Sequence, residues 1–109
     1  MDEIVTFTTT AELWAWLTER PATHPGVWVR LGRSRGRLRT ISFEELLEAG
    51  LAFGWSESGR RRYDADSYLQ RFSPRRTTGT ASARNLRIAN RLIGEGRMTP
   101  RGLAALGLD

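Results

Sequence analysis

Residues 54–76 read GWSESGRRRYDADSYLQRFSPRR, and the way this stretch folds decides the architecture. Tyr63, Tyr68 and Phe72 favour strands, while Asp64, Ala65 and Asp66 favour a turn, so the stretch predicts two antiparallel strands forming a ribbon. Arg60, Arg61, Arg62, Arg71, Arg75 and Arg76 place fixed positive charge beside aromatic rings. Guanidinium groups grip carboxylates and phosphates in a bidentate way and stack on ring faces, which lysine does less well.

Helix signals flank the ribbon. Upstream, Ser42 and Glu45 have capping-box spacing, Ile41 can staple onto Leu46, and Phe43, Leu46, Leu47, Leu51 and Phe53 continue a helix that Gly54 stops. Downstream, Thr77, Thr78, Gly79 and Thr80 read as a turn. A helix follows over residues 82–95, with Leu86, Ala89, Leu92 and Ile93 on one side, flanked by Ile88. Arg84, Arg87 and Arg91 fall on the opposite side and read first as a solvated face. Thr99 and Pro100 start a last short helix.

Toward the N-terminus, Val27, Val29 and Leu31 alternate with Trp28 and Arg30 as a half-buried strand after the turn His24-Pro25-Gly26. GRSRGR at residues 32–37 predicts a basic hairpin loop returning as a strand over residues 38–41. A short strand over residues 4–7 precedes a helix capped by Thr9 and Glu12, which runs to about Arg20 and ends before Pro21. Trp14 and Trp16 on it are core and core edge. Strands arriving as hairpins between helices define an α+β fold: a single domain over residues 1–109, with a small antiparallel or mixed sheet and three to four helices packed on it.

Composition narrows the function. All 17 basic residues are arginine, and the net charge is +5. Residues 1–59 carry six arginines against eight acids, whereas residues 60–101 carry eleven against three. That asymmetry predicts an anionic partner: a small molecule, a peptide, an acidic protein surface or a nucleic acid. No apolar run is long enough for a membrane span. The acidic start MDEIVTF shows no secretory pattern and cysteine is absent, so disulfides and thiolate chemistry are excluded and a cytoplasmic location is expected.

From residue 41 to residue 106 the chain resembles the YdeI/OmpD-associated family of small bacterial proteins, often labelled bacteriocin-protection proteins. The matching residues are Phe53-Gly54-Trp55, Asp64, Tyr68, Arg71-Phe72-Ser73-Pro74-Arg75, Ser82, Asn85 and the GEGRMTPRGL run at residues 94–103. The helix around Trp14 and Trp16 and the strand around Trp28 also fit. The resemblance implies the fold and a link to protection against antimicrobial peptides and to stress tolerance, but no reaction. The chain departs from that pattern at Ser56, Glu57 and Ser58, and between Thr77 and Ser82.

Catalytic groups are few. His24, the one histidine, precedes a proline in a turn with no acid near it in sequence, and no cluster has metal-ligand spacing. Glu57 and Asp64 read as counter-charges to Arg60, Arg61 and Arg62. The expectation is a non-enzymatic domain with no cofactor, whose ligand-binding residues are Trp55, Arg60, Arg62, Tyr68, Arg71, Arg75 and Asn85, gathered in one concave site for an anionic or aromatic small ligand or peptide. In the alternative, a nucleic acid follows a stripe that adds Arg76, Arg84, Arg87 and Arg91 as phosphate contacts. A small enzyme with an arginine/carboxylate site is the third reading. Oligomeric state is not legible.

Overall fold

Helix α2 (Phe43–Phe53) is the centre of the molecule. The structure, a computed structural model, describes residues 3–109; Met1 and Asp2 of the acidic start lie outside them. The capping box forms as the spacing predicts: Glu45 N–H donates to Ser42 Oγ at 3.1 Å, and Ser42 N–H donates to Glu45 Oε1 at 2.8 Å. Leu46, Leu47, Ala49, Gly50, Leu51, Ala52 and Phe53 are all buried, so nearly the whole girth of the helix is covered. Gly54 ends it in the left-handed region at φ 79°, where a side chain would be strained and its Cβ would sit 2.8 Å from that of Ala105.

The chain order is β1 (Ile4–Val5), α1 (Thr10–Thr18), β2 (Val27–Gly32), α2, β3 (Trp55–Arg62), β4 (Ser67–Pro74), α3 (Ala83–Gly94) and α4 (Pro100–Leu106). The strands form one mixed sheet in the order β1-β2-β4-β3, with β1 parallel to β2 and the other pairs antiparallel. The α+β reading holds, and so does the ribbon, which is β3 paired with β4. Val27, Val29 and Leu31 of β2, with Phe72 of β4 and Trp55 of β3, turn to the helices and join the core. Each such buried side chain contributes about 1.5–3 kcal/mol through removal from water.

One predicted strand does not form. Residues 38–41 are irregular, because both edges of β2 are already occupied, by β1 and by β4. The loop is tied down instead by single bonds: Gly32 N–H donates to Thr40 Oγ1 at 2.9 Å, and Ile41 N–H to the Phe7 carbonyl at 3.0 Å. The first strand is shorter than its pattern, since Phe7 has already turned into the core.

Helix α1 ends at Thr18, and its C-terminal carbonyls are met from the far end of the chain. Arg101 on α4 donates to the carbonyl oxygens of Leu17 and Arg20. His24 is not an exposed turn residue: it is half-buried against Trp16 and Trp55, with ring centroids 5.7 and 5.6 Å away. Its Nδ1 accepts the Gly26 N–H at 3.0 Å, so the ring serves to hold the turn into β2.

Helix α4 locks onto the end of α2 through a glycine. A Cβ at Gly102 would lie 2.3 Å from the Ala52 carbonyl oxygen, a backbone atom that cannot swing aside. Gly102→Ala is therefore expected to cost about 1–3 kcal/mol in denaturant unfolding, although alanine is the better helix former. Unchanged stability would mean that α4 does not pack as described.

Candidate functional site

A bulge in the ribbon decides where its arginines point. Glu57 faces Phe72 and Arg60 faces Gln70, so Ser58 and Gly59 on β3 oppose only Arg71 on β4. The extra residue reverses the alternation of β3 beyond that point. Arg60 and Arg62 then share the helix side with Tyr68, while Arg61 goes to the open face.

Gln70, 1% exposed, fills the bulge. Its Nε2 donates to the carbonyls of Ser58 and Gly59, both at 3.1 Å, and to that of Arg71 at 3.2 Å. Its Oε1 accepts the Arg60 Nε–H at 3.0 Å. One buried amide thus satisfies the displaced backbone and aims Arg60. The guanidinium of Arg60 lies over Tyr68 at 5.2 Å and over Phe43 at 4.9 Å. On the open face Trp28 is covered from two sides, by Arg61 at 4.7 Å and by Arg71 at 5.6 Å.

The basic loop after β2 docks on the ribbon's turn. Arg33 N–H donates to the Asp66 carbonyl at 2.8 Å, and Arg37 N–H to Asp66 Oδ1 at 3.0 Å. Arg33 also lies over Tyr68, at 5.9 Å. Two arginine-rich segments far apart in sequence thereby meet at one end of the sheet. Arg33, Arg35, Arg37, Arg39, Arg60, Arg61 and Arg62 are all exposed there. Among the described residues none of the seven lies within ion-pair distance of a carboxylate.

Asp64 is not a counter-charge to Arg60, Arg61 or Arg62. Its Oδ2 accepts Arg30 at 2.8 Å, and its Oδ1 accepts the Ser67 hydroxyl at 2.7 Å and the Asp66 N–H at 3.0 Å. The Ser67 hydroxyl, then the Asp66 N–H and Arg30, hold this carboxyl below its ordinary range. Asp64 is thus spent on its own turn. Glu57 forms no ion pair among the described residues either. It is half-buried, its Oε2 has no partner, and burial pushes its carboxyl above the usual 4.5, against smaller opposing effects of the backbone and Arg75.

The single concave site expected from the sequence does not exist, because its residues are divided among distant places. Arg60, Arg62 and Tyr68 come together at the basic end. Arg71 lies on the opposite face of the sheet, beside Trp28. Trp55 is 1% exposed and belongs to the core, at the far end of the ribbon with Arg75. Arg76 lines a separate recess with His24 and Ser73. Asn85 is half-buried in the first turn of α3, where its N–H donates to the cap Ser82.

The α3 stripe is not a free cationic face. Arg84 pairs with Glu44 at 2.9 Å, and Arg91 pairs with Glu48 and, at 3.4 Å, with Glu95. Burial of Ala89 and Leu92 against α2 carries the neighbouring arginines to the acids of that helix. Only Arg87 of the three has no ion-pair partner among the described residues. Arg33, Arg35, Arg37, Arg39 and Arg61 were missed as site residues. The bulge that places Arg61 has one signal in the sequence, a glycine at position 59 inside a strand.

Fold and site together define a small two-layer α+β domain with a basic ribbon and loop at one end. Residues 5–105 match the family described as a domain of unknown function, DUF8412, and the chain belongs to that family. No curated protein and no solved structure matches the chain. The family match overturns the resemblance to the YdeI/OmpD-associated family, and with it the implied role in bacteriocin protection. Several residues that carried the resemblance are explained by packing alone: Gly54 caps α2, Trp55 fills the core, Thr99 and Pro100 start α4, and Gly102 lets two backbones touch.

Two substitutions test this geometry. Gln70→Leu keeps the volume but leaves the bulged carbonyls and Arg60 without partners, so unfolding should become easier by about 1–3 kcal/mol. Glu57→Gln removes a carboxyl whose pKa is raised on folding. The protonated form stabilises the fold below the ordinary value, and that contribution is lost as pH rises through the folded pKa. The variant should therefore gain thermal stability over the natural protein between acid and neutral pH, and match it in acid. A constant difference across pH would contradict the assignment.

Proposed function

We propose that this protein binds nucleic acid without sequence preference, through phosphate contacts from its basic end. The observation that carries the reading is the set of seven exposed arginines, drawn from a loop and a ribbon and none of them ion-paired among the described residues. Arg84 and Arg91 of α3, by contrast, are neutralised by Glu44 and Glu48. Unpaired like charges repel one another, and a polyanion relieves that repulsion by releasing its condensed counterions.

Ring stacking supports a phosphate ligand in particular. A guanidinium held over Tyr68 or Trp28 keeps exposed N–H groups that can take phosphate oxygens in a bidentate fork. Less side-chain freedom is then lost on binding than from a free arginine. Tyr63, 51% exposed beside Arg30, offers a ring on which an unpaired base can stack. Such a ligand also suits the cytoplasmic location expected from the sequence.

The test is the salt dependence of binding to a short single-stranded oligonucleotide and to a duplex. Log affinity should fall linearly with log salt, and each phosphate-contacting Arg→Ala should reduce the slope by about 1. Replacing Arg60, Arg61 and Arg62 together should reduce it by about 3, whereas Arg84→Ala and Arg91→Ala should leave it unchanged. An unaltered slope in the triple variant would sink the proposal.

A further inference from the structure

Two recesses lie side by side at the basic end. One, of about 350 Å³, is lined by Arg33, Arg60, Arg61, Arg62 and Tyr68. The other, of about 460 Å³, is lined by Arg33, Arg62, Tyr63, Asp64 and Ala65. Arg33 and Arg62 border both, so an extended chain of phosphates passing from one to the other stays beside guanidinium groups. The second recess differs in kind from the first. It has fewer cations, and it holds Tyr63, the one exposed aromatic ring among the described residues.

The Tyr63 ring has a fixed backing. The Arg30 guanidinium lies over it at 5.3 Å, and Arg30 is itself held by Ser67 Oγ at 2.9 Å and Asp64 Oδ2 at 2.8 Å. Among the described residues no second ring or guanidinium lies against Tyr63, and half of its surface is open. Asp64 in the same recess is committed to its turn, with three donors of the chain already on its oxygens. A base beside Tyr63 therefore meets a stacking surface, which every base satisfies equally, and not a reader of base edges.

We infer that the basic end takes single-stranded nucleic acid in preference to duplex, with phosphates on the arginines of the first recess and an unpaired base stacked on Tyr63 in the second. This rests on the phosphate-binding reading above and narrows it. In a duplex the bases are stacked on one another, and exposing one costs free energy. The ribbon's tip also suits a groove badly. It carries Asp64 and Asp66, and entering a groove would bring their carboxylates between two phosphate strands. Charge alone predicts the opposite order, because duplex DNA releases more counterion per phosphate neutralised, about 0.9 against about 0.7 for a single strand. A preference for the strand thus reports the ring and not the arginines.

The experiment measures fluorescence anisotropy of the full chain with three labelled probes of about 12 nucleotides, within the usual site sizes: oligothymidine, a mixed-sequence duplex, and a strand of abasic sugar-phosphates. At one salt concentration oligothymidine should bind most tightly, and the abasic strand about tenfold more weakly although its phosphates are the same. Tyr63→Ala should lower oligothymidine affinity to the abasic level with the salt slope unchanged, and should leave duplex binding as it was. Tyr63→Phe keeps the ring and should keep the affinity. Equal binding of oligothymidine and the abasic strand, or oligothymidine affinity untouched by Tyr63→Ala, would overturn the inference; a salt slope still lowered by replacing Arg60, Arg61 and Arg62 would then leave the phosphate-binding reading standing. No binding of any probe would overturn both.

Discussion

Everything in this molecule is arranged around a helix with almost no outside. Helix α2 is buried along nearly its whole length, and it touches the sheet, α1, α3 and α4. Such contact requires small residues where neighbours come closest. Gly50 is one: a Cβ there would sit 3.0 Å from both the Phe72 ring and the Trp55 carbonyl oxygen. Close packing of this kind tolerates little change in volume, and it holds the start of β3 in a fixed place. The distal half of β3, by contrast, is an exposed edge of the sheet, with Arg60, Arg61 and Arg62 open to solvent.

A single side chain then sets the chemistry of that edge. Gln70 is one of only two buried polar residues among those described, and it pays for its burial by making four hydrogen bonds. The bulge it fills switches the direction of three consecutive arginines. Two rings, Tyr68 on one face and Trp28 on the other, thereby each receive a guanidinium from β3. Regular pairing would have sent Arg60 and Arg62 to the open face and Arg61 against the helices.

Charge is handled differently at the two sides of the fold. Between α2 and α3, Glu44 and Glu48 meet Arg84 and Arg91, and the exposed pairs contribute little to stability. At the basic end Asp64 and Asp66 are consumed in shaping turns, by Arg30, Ser67 and backbone N–H groups. The seven exposed guanidinium groups there are left without an ion-pair partner among the described residues. At the other end of β3 it is buried donors, not exposed cations, that lack partners.

Local signals determined the elements. Capping boxes at Thr9/Glu12 and Ser42/Glu45, the Thr99-Pro100 start, the Gly54 stop and the alternation through Val27, Val29 and Leu31 act over a few residues, and all of them form as read. The turn at Asp64, Ala65 and Asp66 belongs with them, and so the α+β class and the basic ribbon were legible. Only the tertiary structure decided that residues 38–41 find no free edge on β2, that the loop bearing Arg33 lands on Asp66, and that Trp55 and Arg71 part company with Tyr68. These outcomes depend on contacts between segments far apart in the chain, and on a bulge whose only trace in the sequence is a glycine. Arginines 84 and 91 look like 60 and 62 in sequence; the difference between a neutralised cation and an available one lies in which carboxylate the packing of α3 on α2 brings within reach.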